Sequence, residues 1–344
     1  MSDSAIRLSK EEINRIFDSF IGKKVLVIGD VMLDSYWWGN VERISPEAPV
    51  PIVHTRKKEY RLGGAANVAL NLKRLGAEPI ICSVIGHDAE GEILLRLLGN
   101  ENISSQGIII SDLRPTTVKT RIISGKNQLL RIDIEEDELL VKEDASNLES
   151  KISEIINTSD LVIFEDYDKG VISQSLIEEI VKKAIDIKIP VAVDPKKRNF
   201  MAYKNVTLFK PNLRELSEGL KIDLNTGSDI KEIKEAAKLL QDKLHVDHVL
   251  ITLSEKGVYL SEKDGTGHQI PAHIRDIYDV SGAGDTVISV AALTLLANVY
   301  GNVVAALANL AGGLVCEKVG VVPIDREELI RETITNYESR INVV

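Results

Sequence analysis

Apolar residues along this chain gather in short continuous runs. Val25-Leu26-Val27-Ile28, Ile80-Ile81-Cys82-Ser83-Val84, Leu161-Val162-Ile163-Phe164, Val191-Ala192-Val193 and Val249-Leu250-Ile251-Thr252 each have the length of a strand. A strand that is apolar on both sides of its pleat is buried on both faces, as in a parallel sheet covered by helices. Stretches with a helical period lie between most of these runs, for instance Ser175 to Ile187 and Ser228 to Leu244. The alternation predicts an α/β fold, with a mostly parallel central sheet and helices on both faces. Ligands of such sheets sit at the C-terminal ends of the strands. Asp30, Asp34, Glu165, Asp166, Asp194 and Thr252 fall at or just beyond those ends.

Two segments break the alternation. Trp37 to Arg61 carries Pro46, Pro49 and Pro51 and has no helical period. Thr116 to Asp133 alternates through Val118, Thr120 and Ile122, then turns at Ser124-Gly125-Lys126-Asn127, which predicts a hairpin. Together they are expected to form one small β lid over a substrate. Val50, Ile52, Val118 and Ile122 would leave an apolar face on so small a sheet, so a homodimer paired through the lid is expected. Met1 to Phe20 reads as a short amphipathic helix. Thr286 to Val315 is apolar but interrupted by Asn298, Asn302, Asn309 and glycines, which predicts two buried helices rather than a membrane span.

The candidate chemistry lies in Asp279-Val280-Ser281-Gly282-Ala283-Gly284-Asp285-Thr286, a glycine-rich turn that opens into the apolar segment Val287 to Leu296. The amides of Gly282, Ala283 and Gly284 can converge on one point at a helix start, where the helix dipole adds positive potential. A carboxylate beside such an anion hole makes sense as a general base. Asp285 would take a proton from an attacking hydroxyl while the amides hold the charge on the transferred group. A plain helix-capping turn is the alternative. A second glycine pair, Gly63-Gly64-Ala65-Ala66-Asn67, enters another helix, with Val68, Leu72 and Leu75 at helical spacing and Gly76 at its end.

These two segments resemble the two signatures of the PfkB/ribokinase family of sugar kinases. The resemblance runs from Val25 to about Val322. Lys210-Pro211-Asn212-Leu213-Arg214-Glu215 is similar to the family's Asn-x-x-Glu segment, and Thr252-Leu253-Ser254-Glu255-Lys256-Gly257 to its nucleotide-binding turn. A narrower resemblance, to the kinase domain of bacterial heptose 7-phosphate kinases, rests on Gly29 to Asp34, Arg43 to Pro51, Leu129 to Asp133 and Asp194-Pro195-Lys196. It implies a ribokinase-like fold and transfer of the ATP γ-phosphoryl group to the anomeric oxygen of D-glycero-β-D-manno-heptose 7-phosphate, a lipopolysaccharide precursor. It also implies a lid that pairs between two subunits.

Carried onto this chain, the resemblance assigns sugar binding to Asp34, Gly63, Gly64 and Asn67, whose side chains or close backbone suit hydroxyls. Asp166 and Lys169 match the sugar-kinase pattern in Glu165-Asp166-Tyr167-Asp168-Lys169-Gly170, whereas Glu165 departs from the small residue expected there. Thr252, Ser254 and Gly257 are expected along the nucleotide, and Asn309 near its adenine. Asn212 and Glu215 stand one helical turn apart and suit magnesium held through water. They equally suit a capping box, and the two roles are compatible. Arg43, Lys119, Arg121, Arg131, Lys169 and Lys196 are the cations available for the sugar's own phosphate, with Arg131 and Lys169 retained as binding residues. ATP and Mg2+ are the implied cofactors. A monovalent cation is an optional third.

Bulk properties narrow the picture further. The 344 residues suffice for one large α/β domain, and 44% hydrophobic content fits a globular chain. A net charge of −10 argues against nucleic acid as a partner. Cys82 and Cys316 both lie in apolar segments and read as buried reduced thiols. The six histidines show no metal or triad spacing. Without a basic-then-apolar leader, a cytoplasmic protein that neither crosses nor binds a membrane is expected. The chain is read as a single kinase domain over 1–344, with lid segments at about 37–61 and 116–133. No C-terminal nucleotidyltransferase domain is expected, since no second glycine-rich site with a His-x-x-His motif follows.

Three rivals remain. Another sugar or sugar-phosphate kinase, acting on fructose or a ketosugar acid, differs mainly in the Arg43 to Pro51 block. A nucleotide-binding regulator without chemistry is disfavoured by the intact turn at Asp285. A dinucleotide-binding dehydrogenase is disfavoured because Gly29-Asp30 stands where its glycine fingerprint would follow the first strand.

Overall fold

The computed structural model describes residues 6–125, 127–273 and 275–338. Lys126 of the predicted hairpin turn and the first five residues of the predicted N-terminal helix lie outside the described residues. Described strands are β1 (Lys24–Gly29), β2 (Val31–Ile44), β3 (Pro51–Gly64), β4 (Glu78–Gly86), β5 (Ser104–Ser111), β6 (Val118–Ser124) and β7 (Asn127–Ile134). They continue with β8 (Leu161–Glu165), β9 (Val191–Asp194), β10 (Leu208–Phe209), β11 (His248–Thr252), β12 (Val258–Glu262) and β13 (Gly267–Ile270). The helices are α1 (Lys10–Asp18), α2 (Ala65–Arg74), α3 (Ala89–Asn100), α4 (Lys142–Ile155) and α5 (Gln174–Asp186). After them come α6 (Leu213–Leu220), α7 (Ile230–Leu244), α8 (Ala283–Leu296), α9 (Gly301–Cys316) and α10 (Arg326–Tyr337).

The main sheet has the order β13-β12-β11-β10-β9-β8-β1-β4-β5. Pairing is parallel from β5 to β11 and antiparallel for β12 and β13. All five apolar runs are strands of this sheet, so the predicted architecture holds. Alternate residues of one run feed two cores. Val25 and Val27 pack with α2, α8 and α9 on one face, while Leu26 and Ile28 pack with α4, α5 and α7 on the other. The apolar stretch 286–315 is two helices, α8 and α9, with nearly every side chain of both buried. No helix among the described residues is long and apolar enough to cross a membrane.

A second sheet, in the order β3-β2-β6-β7, stands beside the first. Its register separates two kinds of surface. Asp34 lies opposite Lys119 and Arg61, Tyr36 opposite Arg121 and Glu59, and Arg121 opposite Arg131, all on one face. The other face carries Leu33, Val118, Leu62 and Ile134, then Trp37, Ile122 and Leu130. The polar face docks onto the main body through Tyr36, whose hydroxyl accepts the Val321 N–H at 3.0 Å, and through Arg61, which donates to the carbonyls of Val319 and Val321 at 2.9 and 3.0 Å.

Candidate active site

The strand ends and the start of α8 meet at one cavity of about 580 Å³. Its lining joins segments far apart in sequence: Asp194, Lys196, Lys210, Asn212, Glu215, Thr252, Ser254, Gly257, Gly282 to Asp285 and Asn309. The nucleotide and catalytic residues expected from the sequence therefore share one space.

Gly282 begins α8 at φ +79, a backbone state that suits glycine. A side chain there would also strike the Asn67 amide, 2.9 Å from the ideal Cβ position. The anion hole differs in detail from the expected one. Ala283 donates its N–H to the Val280 carbonyl at 3.2 Å. Among the described residues, the amides of Gly282, Gly284 and Asp285 have no protein acceptor, so the hole moves toward the first helical turn. No side chain caps this helix, which leaves its positive end for an anion.

Asp285 is 4% exposed. Asn67 Nδ2 donates to its Oδ2 at 2.7 Å, and the Tyr167 hydroxyl donates to its Oδ1 at 2.9 Å. Burial raises the Asp285 pKa above the ordinary carboxylate value, and the neighbouring Asp194 adds to the rise against these two hydrogen bonds. A buried, oriented carboxylate of raised pKa is a stronger base than an exposed one, which suits proton removal from a hydroxyl.

Asn67 thus meets Asp285 directly, and it comes from α2, which starts at Gly64 (φ +56). Gly63 is needed by Asp34, because a Cβ at Gly63 would lie 2.2 Å from Asp34 Oδ2. Asp34 is buried and paired with Arg121 on the polar face of the small sheet. Arg131 lies on the same face but is half exposed and bound to Asp133, with Nε–Oδ1 at 2.9 Å. Lys169 pairs with Glu135 at 2.8 Å, at the base of the small sheet. Gly257 (φ +87) admits no side chain, since a Cβ would meet the Ile270 carbonyl at 2.1 Å. Asn309 donates to the Pro271 carbonyl at 2.9 Å at the cavity wall.

Asp166 departs from its expected place. Its side chain faces the core on the far side of the sheet from α8. Its carboxylate accepts from Asn199 Nδ2 at 3.0 Å, the Tyr203 hydroxyl at 2.8 Å and the Asp168 N–H at 2.9 Å. Burial, with the charge of Asp30 added, pushes its pKa up to about 6. The reason is strand alternation. Asp166 is in phase with Phe164, which packs in the core on the far face, whereas Glu165 is in phase with Ile163, toward α8.

Asn212 and Glu215 form the capping box of α6, with Glu215 N–H donating to Asn212 Oδ1 at 2.8 Å and Asn212 N–H to Glu215 Oε2 at 2.9 Å. Glu215 Oε1 also accepts from Lys196 Nζ at 2.6 Å. Each Glu215 oxygen thus already has one partner and keeps a lone pair for a second, so the pair still suits a metal reached through water.

Two participants are additional to those expected. Tyr167 orients Asp285, and its loop is pinned by buried Asp30, which accepts the N–H groups of Tyr167, Lys169 and Val171 at 2.8, 3.1 and 3.2 Å. The available signal was a tyrosine inside an otherwise charged strand-end loop. Lys210 pairs with Asp194 at 2.8 Å, both almost fully buried. Burial opposes the Lys210 charge, but Asp194 and Glu215 outweigh it and raise its pKa.

A buried carboxylate at a free helix start, with the polar face of the small sheet beside it, suits phosphoryl transfer to a sugar hydroxyl. Comparison with known proteins narrows this class: the chain belongs to the pfkB family of carbohydrate kinases, which it matches over residues 22–327. It is 41% identical over 309 residues to the bifunctional protein HldE of Methylobacillus flagellatus, covering 90% of this chain and 62% of that relative. The chain thus spans under two thirds of that relative's length. Among solved structures, phosphofructokinase-2 from Escherichia coli in complex with substrates and products shares the fold with a TM-score of 0.76 at 19% identity, covering 92% of this chain and 99% of that one. Arabidopsis thaliana ribokinase complexed with ribose and ATP has a TM-score of 0.71 at 18% identity, covering 90% and 99%.

Proposed function

We propose that this chain uses ATP to phosphorylate D-glycero-β-D-manno-heptose 7-phosphate at its anomeric hydroxyl, giving the 1,7-bisphosphate. The sugar lies between the polar face of the small sheet and Asp285. Asp285 takes the proton of the attacking hydroxyl, while Asn67 and Tyr167 hold its carboxylate in place. The free amides at the start of α8 hold the charge on the transferred group. Magnesium, when bound near Asn212 and Glu215, would neutralise charge on the phosphate oxygens. Closure of the lid excludes water as a competing acceptor.

The observation that carries a phosphorylated sugar is Lys119. It lies on the polar face of the small sheet, with Nζ 5.2 Å from the ring centre of Tyr167, the residue that touches Asp285. It is partly buried, which lowers its pKa, and among the described residues it makes no ion pair. A partly desolvated cation without an ion-pair partner, facing a sugar site, suits an anionic group already on the substrate. The choice of heptose rests on the resemblance at Gly29 to Asp34 and Arg43 to Pro51 and on the HldE relatives. The apolar face of the small sheet supports a homodimer paired through it.

The test is ADP release over a panel of sugar 7-phosphates and 6-phosphates, unphosphorylated fructose and a ketosugar acid. Heptose 7-phosphate should give the highest kcat/KM. A clear preference for fructose, fructose 6-phosphate or the ketosugar acid would replace the heptose reading with another carbohydrate substrate.

A further inference from the structure

Beneath the anion hole lies a group of carboxylates larger than proton removal requires. Glu165 ends β8 and Asp194 ends β9, and they are register partners on neighbouring parallel strands. Both side chains therefore leave the sheet on the same face, in phase with Ile163 and Ala192, toward the start of α8. One oxygen from each of Glu165, Asp194 and Asp285 lies within 4.8 Å of the other two. Glu165 is 0% exposed. Neither of its oxygens has a hydrogen-bond partner, nor has Asp194 Oδ1.

We propose that Glu165 and Asp194 bind a divalent metal cation directly, with Asp285 on its third side. A buried carboxylate with no partner is strongly unfavourable unless a proton neutralises it or a cation pairs with it. A proton shared between Glu165 and Asp194 would satisfy one oxygen of each and leave the second Glu165 oxygen bare. Charge argues for a cation. The cluster and its ion pairs comprise four carboxylates, Glu165, Asp194, Asp285 and Glu215, against two ammonium groups, Lys196 and Lys210. With all four carboxylates ionised two negative charges remain, which a divalent ion balances. Geometry agrees: six-coordinate magnesium at about 2.1 Å holds its ligand oxygens about 3 to 4 Å apart, and larger divalent ions hold them somewhat farther. The site differs from Asn212 and Glu215, whose contact would run through water. It depends on Glu165, the residue that departs from the sugar-kinase pattern, and not on which sugar is the substrate.

The probe is Mn2+, titrated into the intact chain with neither nucleotide nor sugar, with free Mn2+ read by electron paramagnetic resonance. The wild type should take up a single tightly held Mn2+. Glu165→Gln should weaken that uptake by more than the roughly tenfold that loss of even an outer-sphere partner costs. Glu215→Gln should leave it in place. Glu165→Gln removes an unpaired buried charge, so its melting temperature in chelator should equal or exceed the wild-type value, and Glu165→Ser provides a second folded variant. No uptake by the nucleotide-free wild type overturns the proposal, as does uptake unchanged in both Glu165 variants or lost only in Glu215→Gln. Uptake that depends on Glu165 supports the site even if the substrate panel rejects heptose.

Discussion

At the scale of single residues, the site is organised around the two oxygens of Asp285. Each receives one neutral donor, and the two donors arrive from opposite sides, Asn67 from α2 and Tyr167 from the loop after β8. Hydrogen bonds to a carboxylate favour its charged form and so oppose the rise that burial causes. Removing one donor should therefore raise the Asp285 pKa further. In Tyr167→Phe the acid limb of kcat against pH is expected to move to higher pH, and a limb that stays put or moves lower would show that Tyr167 does not tune the base. Asp285, Asn67 and the glycines were legible because they lie in compact motifs. The side-chain direction of Asp166 was not, because its neighbour Glu165 is equally acidic. Only the phase of the strand, set by Phe164 and Ile163 in opposite cores, decides which of the two faces α8.

At the scale of elements, the sheet register brings the chemistry together. β8, β9 and β10 run parallel and end at the same level, so Glu165, Asp194 and Lys210 meet although α5 separates the first two in sequence and a helix-free loop over 195–207 the last two. All five buried strands were readable from their apolar runs. The pairing of Lys210 with Asp194 was not, since it depends on strand order, which apolar runs leave open. Breaking a buried ion pair by removing one partner strands the other charge, at roughly 3–5 kcal/mol. Lys210→Met should lose about that much stability in urea unfolding with chelator present. A loss below about 1 kcal/mol would mean that water reaches Asp194 freely.

At the scale of the whole molecule, the small sheet has one polar face toward the site and one apolar face that is buried at Leu33, Leu62 and Val118 and open to solvent farther out. The predicted pairing surface needs correction in its residues. Val118, one of the four apolar positions used to infer it, is 4% exposed and belongs to the core of this chain, so replacing it would damage the fold rather than test an interface. Val50, another of the four, is 52% exposed as expected, and further open apolar positions lie on β7, where Leu130 is 55% and Ile132 45% exposed on the same side of the strand. Leu130→Asp with Ile132→Asp should turn a dimer into monomers by light scattering, with sugar binding weakened more than ATP binding. A monomeric wild type, or a dimer indifferent to both changes, would refute pairing through this face. The central claim, that a buried base at a free helix start performs phosphoryl transfer, is tested most directly by Asp285→Asn. The account predicts a folded protein with nearly unchanged ATP affinity and turnover lower by at least ~100-fold, the scale of a lost general base. Turnover close to wild type in that folded variant would contradict it.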